Sequence, residues 1–505
     1  MKTFAAIDVG SYELSMKIFE FSGKDKMREI DHIRHRIDLG TETYSTGKLS
    51  YEKVDELCKV LKEYAGIMES YRVDAYKAYG TSAIREMANT GIVLDQIAQR
   101  TGVKVDVLSN SEQRFLDYKS VAARGEEFDR ILEKGTAILD IGGGSIQVSL
   151  FDKGTLTTTQ NLKLGVLRLR EKLGHINAKS MQVEDILSEI DDAQLSVLNK
   201  FYLKDKQIDN IILVDDYLSC RLMETSYTTG AEYEKFMNSL RSRSRSEIAA
   251  ELGVSEENVS LLFISAVLLN RLIAMTGANL IWAPGATLCD GIAYEYAQQK
   301  KMVLSGHDFE KDILDCALNI SKRYMGSRKR AETLESLTMT IFDSTRRLHG
   351  LGKRERLYLQ IAAILHDCGK YISMVNLGEC SYHIIMATEI IGLSHMEREI
   401  VANVVRFNHD EFLYYEELSQ TADLDRQAYL TVAKLTAILR IANGLDRSHK
   451  QKFKNVRATL KDKELILSVD TAEDITLEKG LFDDRAQFFE EVFNIQPVIR
   501  QKRTV

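Results

Sequence analysis

One short pattern occurs twice in this chain. Ala5-Ala6-Ile7-Asp8-Val9-Gly10-Ser11 stands near the start and is followed by an alternating stretch from Glu13 to Phe21. Ala137-Ile138-Leu139-Asp140-Ile141-Gly142-Gly143-Gly144-Ser145 follows later, with a second alternating stretch from Gln147 to Phe151. Each copy is an apolar run, an aspartate, a glycine turn and another apolar run. Period-2 alternation after a turn marks strands. Two such units predict two related lobes facing one cleft. Glycine turns also have a use in chemistry. Without a Cβ, their N–H groups approach phosphate oxygens closely, and an adjacent aspartate can hold a hydrated divalent cation.

The rest of the chain fits an α/β architecture followed by a helical one. Tyr51–Glu69 has apolar residues at three/four spacing, and strands are expected at Ala75–Tyr79, Lys104–Leu108 and Ile208–Val214. From about Asp308 helices follow one another: Asp312–Met325, Ala331–Leu348, Arg354–His366, Ser394–Arg406 and Gln427–Leu445. Strand character returns at Val456–Leu460 and Leu465–Val469, and Asp483–Phe493 reads as a helix. The expected domains are a first lobe over residues 1–130, a second over 131–304, a helical domain over 305–452 and a small α/β segment over 453–505. The length of 505 residues agrees with about three domains.

Composition narrows the function classes. A net charge of −7 argues against broad electrostatic coating of nucleic acid, though not against a local basic groove. With only Pro284 and Pro497, long stretches can be helical without interruption. No apolar run reaches the roughly 18 residues that span a bilayer, and acidic residues interrupt the apolar N-terminal stretch, which reads as a strand. The six cysteines lack CxxC spacing and are expected to be reduced core thiols. A soluble, cytoplasmic protein without membrane partners is expected.

Several segments, taken in order, carry a resemblance. AIDVGS, GTSAIRE (Gly80–Glu86), the stretch Ser109-Asn110-Ser111-Glu112-Gln113, LDIGGGS and LKLGVLRLREKL (Leu162–Leu173) resemble the exopolyphosphatase / guanosine pentaphosphate phosphohydrolase (Ppx/GppA) family. LHGLGKRERL (Leu348–Leu357), AAILHDCGKYI (Ala362–Ile372), SHMEREIVANVVRF (Ser394–Phe407) and LRIANGLDRSH (Leu439–His449) resemble the helical, HD-like domain of its longer members. The resemblance implies an actin-like (ribonuclease H-like) duplicated two-lobe ATPase fold, an all-α HD-like domain and a small α/β appendage. It implies an enzyme, a phosphoanhydride hydrolase of the exopolyphosphatase type that uses Mg²⁺. Its substrate would be inorganic polyphosphate or guanosine pentaphosphate, and the chain would be a homodimer. Carried over by position, Asp8, Gly10, Ser11, Thr81, Ser82, Arg85, Gly142, Gly143, Gly144 and Ser145 would bind the terminal phosphoryl group. Asp140 would assist the metal and the attacking water. Arg85 would clamp phosphate, since its fork matches phosphate geometry.

The departures from the family fall on chemistry. A catalytic glutamate is generally found where the ungapped register places Gln113, and a one-residue shift would place Glu112 there. The second family glutamate, seven residues after Asp140, is Gln147. An amide orients a water but cannot take its proton, and losing a general base costs a factor of about 10²–10⁴. The phosphate loop expected near Val214 reads Val214-Asp215-Asp216-Tyr217, Tyr12 replaces the usual Asn, and Pro284-Gly285-Ala286-Thr287-Leu288-Cys289-Asp290-Gly291 lacks the family Asp and Arg. These changes point to altered substrate or lost turnover. The rival expectation is therefore an inactive polyphosphate- or alarmone-binding regulator.

Two further motifs have more than one use. His366-Asp367 invites an HD metal site and a nucleotidase reading, but Arg330 and Asn443 fall where further ligands belong, so both residues are expected to be structural. Glu247 to Val259, after Arg241, Arg243 and Arg245, resembles a helix–turn–helix. The core-like run Leu261-Leu262-Phe263-Ile264 that follows argues against DNA binding.

Overall fold

The computed structural model describes residues 2–23, 27–176, 183–214, 218, 227–304, 306–453 and 456–502. The chain forms two compact units, Met1–Asp308 and Phe309–Val505.

The first unit is built on two sheets of matching topology. Strands β1 (Lys2–Val9), β2 (Glu13–Phe21), β3 (Met27–Arg36), β4 (Ala75–Gly80) and β5 (Val105–Val107) lie in the order β3-β2-β1-β4-β5. Strands β6 (Thr136–Ile141), β7 (Ile146–Asp152), β8 (Thr155–Leu162), β9 (Asn210–Val214), β10 (Tyr227–Thr229) and β11 (Leu280–Trp282) lie in the order β10-β11-β9-β6-β7-β8. With β10 set aside, the second order repeats the first. The senses agree as well: β1 and β6 each run antiparallel to the next strand and parallel to β4 and β9 respectively. The turns close alike, with Gly10 N–H donating to Glu13 O at 3.1 Å and Gly142 N–H to Ser145 O at 3.0 Å. The repeated sequence pattern is thus a repeated structure.

Helices cover these sheets for legible reasons. In Tyr51–Ser70, Ser50 accepts a hydrogen bond from Lys53 N–H as N-cap, and Val54, Leu57, Leu61 and Tyr64 bury one face. They pack with Ile7, Leu14 and Met16 of the first sheet. Helix Glu256–Thr276 buries Leu261, Ile264, Val267 and Leu268 in the core of the second sheet. By length and composition alone this 21-residue helix could cross a bilayer, which corrects the expectation that no stretch reaches that length. The polar residues Ser265 and Asn270 and the cation Arg271 break its apolar run in sequence, while the helix as a whole stays apolar.

Helix Leu288–Gln299, expected in the second lobe, packs on the first sheet. Leu288, Ile292 and Ala293 share a buried cluster with Phe4, Phe19 and Leu116. Gly291 lies against the Leu116 carbonyl so closely that no Cβ would fit. Residues 131–304 are therefore not one lobe: the final helix returns to the first.

In the second unit the expected helix Ala331–Leu348 is two elements, Arg328–Ser344 and Arg346–His349. The backbone leaves helical geometry at Thr345 (φ −102°, ψ 14°), whose hydroxyl donates to Ile341 O at 2.7 Å. Helices Lys353–Leu365, His395–Phe407 and Arg426–Leu445 complete the core with Ile361, Val401 and Ile438. Strands β12 (Val456–Lys461), β13 (Glu464–Asp470) and β14 (Gln496–Lys502) form a small sheet, and helix Thr476–Phe493 joins β13 to β14.

Candidate active site

A cleft of about 290 Å³ opens in the first unit, where the two glycine turns meet. Its walls include Asp8, Gly10, Ser11, Thr81, Ser82 and Gln113 from one side and Asp140, Gly142, Gly143 and Ser145 from the other. The turns come very close: a Cβ on Gly143 would stand 3.1 Å from Ser11 Cβ and 2.9 Å from a Leu167 methyl. A side chain there would require Leu167 and Ser11 to shift.

Glu112 is engaged in a helix cap. Helix Asn110–Ala122 starts with a capping box, in which Ser109 N–H and Oγ donate to Glu112 Oε2 at 2.9 and 2.7 Å. The Glu112 carboxylate is spent on its own helix and lies outside the cleft lining, which corrects its candidacy as catalytic base. Gln113 takes the wall position. Arg85, expected to clamp phosphate, is not among the residues that line the cleft. It donates from Nη1 to Leu108 O at 2.6 Å and approaches Gln113 Oε1 at 3.4 Å, behind the wall. Gln147 is buried beside Asp140 across β6 and β7, outside the lining, and its Oε1 has no hydrogen-bond partner. Gly144 lies behind the turn, where a Cβ would collide with Tyr44 Oη and Ser82 Oγ.

Other residues line the cleft that the sequence reading did not single out. Along β3, His32, Arg34 and Arg36 alternate onto the cleft face. Asp117 enters from the Gln113 helix, one turn further on. The His-x-Arg-x-Arg alternation is the sequence signal that could have found the first three. Burial, with help from Arg34 and Lys17, pushes His32 down to about 4. Its Nε2 accepts from Arg34 Nε at 3.2 Å and from Ser15 Oγ at 2.8 Å, so Nδ1 carries the proton. The imidazole is neutral, and the cationic charge on this wall belongs to the arginines. Arg36 lies 5.3 Å from the Tyr12 ring centre, and Tyr12 Oη meets the Asn258 amide at 2.9 Å. With that amide turned so that its nitrogen donates to Tyr12, its oxygen accepts from Arg36 Nη2 at 2.6 Å.

Cys289, at the position of the missing family arginine, lines the cleft, and burial raises its thiol well above the ordinary range. It offers no charge to an anion. Asp215, Asp216 and Tyr217 lie outside the described residues. In the helix–turn–helix region, Arg241 pairs with Glu184 (Nε–Oε2 2.9 Å) and Arg243 with Glu251. Two of the three arginines are thus engaged by carboxylates.

The His366-Asp367 pair belongs to the second unit and is enclosed there. His366 is fully buried and its Nδ1–H donates to Ala363 O at 2.8 Å. Asp367 Oδ2 faces Lys370 Nζ at 3.1 Å and Arg330 Nη1 at 3.6 Å, and Arg330 Nη2 donates to Asn443 Oδ1 at 3.3 Å. A guanidinium thus stands against the carboxylate that a metal would need. Among the described residues no group of three or more His, Cys, Asp or Glu side chains could hold a metal ion. Protein dialysed without chelator should carry well under one equivalent of zinc, manganese or iron by elemental analysis. A full equivalent that disappears in His366→Ala would overturn this assignment.

Burial also sets a pH response in this unit. It lowers His366 to about 3, against the pull of Asp367, and His409 to about 4; His409 donates to the His366 carbonyl at 2.6 Å. Both are neutral in the folded state and must charge when they titrate. Their contribution is present above the unfolded value of 6.5 and is lost as pH falls from 6.5 towards 4. For His409 this is about 3 kcal/mol. Urea midpoints should drop between pH 7 and pH 4.5, and His409→Gln should flatten the drop. An equally steep drop in that variant would remove the histidine from the explanation.

Comparisons with known proteins bear on both units. The sequence profile of the Ppx/GppA phosphatase family matches residues 18–203, and the profile of Ppx/GppA phosphatase domain III matches residues 315–485. A guanosine-5'-triphosphate,3'-diphosphate pyrophosphatase of Photobacterium profundum is 21% identical over 463 residues, 87% of this chain and 86% of its own. Exopolyphosphatase 1 of Mycobacterium leprae is 29% identical over 198 residues, 38% of this chain and 57% of its own. The crystal structure of an exopolyphosphatase from Cytophaga hutchinsonii superposes with a TM-score of 0.53 at 18% identity, covering 61% of this chain and 100% of that one. The fold of the first unit is therefore the actin-like two-lobe one.

Proposed function

The chain belongs to the Ppx/GppA phosphatase family, and from that membership we propose that its cleft binds the terminal phosphoryl group of inorganic polyphosphate or guanosine pentaphosphate and hydrolyses it slowly. The observation that carries this reading is the pair of equivalent Asp–glycine turns on one cleft. The N–H groups of the two turns hold phosphoryl oxygens, and Arg34 and Arg36 offset the charge of the chain behind. Asp8 and Asp140 are two hard oxygen donors in one cleft, which suits a largely hydrated Mg²⁺. When bound, that ion would neutralise charge on the phosphoryl group.

Gln113 holds the attacking water by hydrogen bonding. Water oxygen forms the new P–O bond, the bridging P–O bond breaks, the released chain keeps the electron pair, and the water proton ends on a phosphate oxygen. The water proton has no acceptor at residue 113, so the rate falls below that of a member with glutamate there. The same amide favours a second reading, a binding protein with no turnover. Purified protein, Mg²⁺ and each substrate in turn, with phosphate release followed, distinguishes the two. Brisk release would end the binding-only reading. Tight binding without release would end the hydrolytic one.

A further inference from the structure

Three hydroxyl groups meet beneath the cleft. Ser11 Oγ lies 2.9 Å from Tyr44 Oη, Tyr44 Oη 2.7 Å from Ser82 Oγ, and Ser82 Oγ 2.9 Å from Ser11 Oγ. Ser11 and Ser82 are buried, and both line the cleft where the glycine turns converge. Tyr44 does not line it. The residue comes from helix Gly40–Thr46 and reaches the two serines from the far side. Arg168 lies over its ring at 4.3 Å while donating from Nε to Gly144 O at 3.1 Å.

The donor count decides what this triangle does. A hydroxyl has one proton to give. Three mutual contacts among three hydroxyls consume all three protons, so neither serine retains one for an incoming anion. Burial raises the Tyr44 phenol above its ordinary range, which keeps it protonated at neutral pH. Its oxygen is within hydrogen-bond distance of both serines and so competes for their protons with a phosphoryl oxygen in the cleft.

We propose that Tyr44 is an affinity-determining residue of this cleft, an internal stand-in for a phosphate oxygen that ties up the Ser11 and Ser82 donors and is displaced when a phosphoryl group binds. The proposal rests on the cleft being the phosphate site inferred above. It makes Tyr44 a positioning residue, acting through the two serines and never touching the reacting atoms.

The direction of the predicted effect separates this role from a structural one. Tyr44→Phe leaves two protons and one mutual contact, freeing a donor. Tripolyphosphate should bind the variant about threefold to tenfold more tightly than the wild type, by calorimetry on the full chain at low salt. A supporting contact would give the opposite sign. Tyr44→Met, whose flexible side chain fills the same space without a hydroxyl, should shift affinity the same way, and serves if the phenylalanine variant folds poorly. Binding by the variants but not by the wild type would also support the proposal. If the wild type binds and both variants bind equally or less tightly, the Tyr44 assignment is wrong while the phosphate cleft stands. If none of the three binds, the cleft is not a phosphate site and both inferences fail.

Discussion

Gln113→Glu should raise Mg²⁺-dependent phosphate release at least tenfold, and by up to about 10²–10⁴ if water activation is all that is missing. Gln113 is the member of the Glu112-Gln113 pair that faces the cleft, because Glu112 is held by its own cap. Arg85 stands 3.4 Å from the Gln113 side-chain oxygen and would keep a new carboxylate ionised at neutral pH. The change is isosteric, so the wall should not rearrange. Gln147→Glu is expected to behave differently. It would bury a charge beside Asp140, its cross-strand neighbour, and should cost stability. Initial rates for the single and double variants check the ranking. No gain from Gln113→Glu would show that the altered second lobe, not the missing base, limits the rate.

The largest stability loss is expected from Asp290→Ala. Asp290 caps its helix by accepting from Thr287 N–H at 2.8 Å, and it also meets Lys17 Nζ at 2.9 Å. Lys17 is 5% exposed; its second partner, Glu29, is also at 2.9 Å but is largely solvated. Removing Asp290 leaves an ammonium in the wall between β2 and helix Leu288–Gln299. Breaking a buried pair from one side costs about 3–5 kcal/mol. Burial alone would lower the Lys17 pKa, but Asp290 and then Glu29 outweigh it, and the net displacement is upward. The stabilisation is therefore full below pH 10.5 and is lost as pH rises through the higher folded value. Denaturant midpoints should fall in Asp290→Ala, less in Asp290→Asn, which retains the cap acceptor. Equal losses in the two would assign the whole effect to the lost charge, and a wild-type midpoint in Asp290→Asn would assign it to the cap and packing instead.

What the sequence could reveal follows from how local each signal is. The two Asp–glycine turns and the strands beside them were legible because alternation and turn chemistry reside in adjacent residues. The Glu112 ambiguity was also soluble from sequence: Ser109-x-x-Glu112 is a capping-box pattern, and a capped glutamate leaves the next position for the cleft. The return of helix Leu288–Gln299 to the first sheet was not legible, since its apolar face fits either sheet and only Gly291 marks a close contact. His32, Arg34 and Arg36 were legible only in part: their alternation puts them on one face of a strand, but does not say that this face meets the second lobe. The Tyr44 triangle joins residues 11, 44 and 82, separations that no local pattern encodes.

Strand β3 is the outermost strand of the first sheet, and seven of its ten residues are charged or histidine. An outer strand exposes unpaired backbone groups that can template growth onto another chain, and charge is the usual deterrent. The residues that line the cleft, Arg34 and Arg36, therefore also guard against aggregation. Replacing them with apolar residues would remove cationic groups from the cleft wall and leave a sticky edge in one step. Soluble yield would fall together with activity, and the second loss could be mistaken for the first unless a charge-retaining exchange such as Arg34→Lys is made alongside.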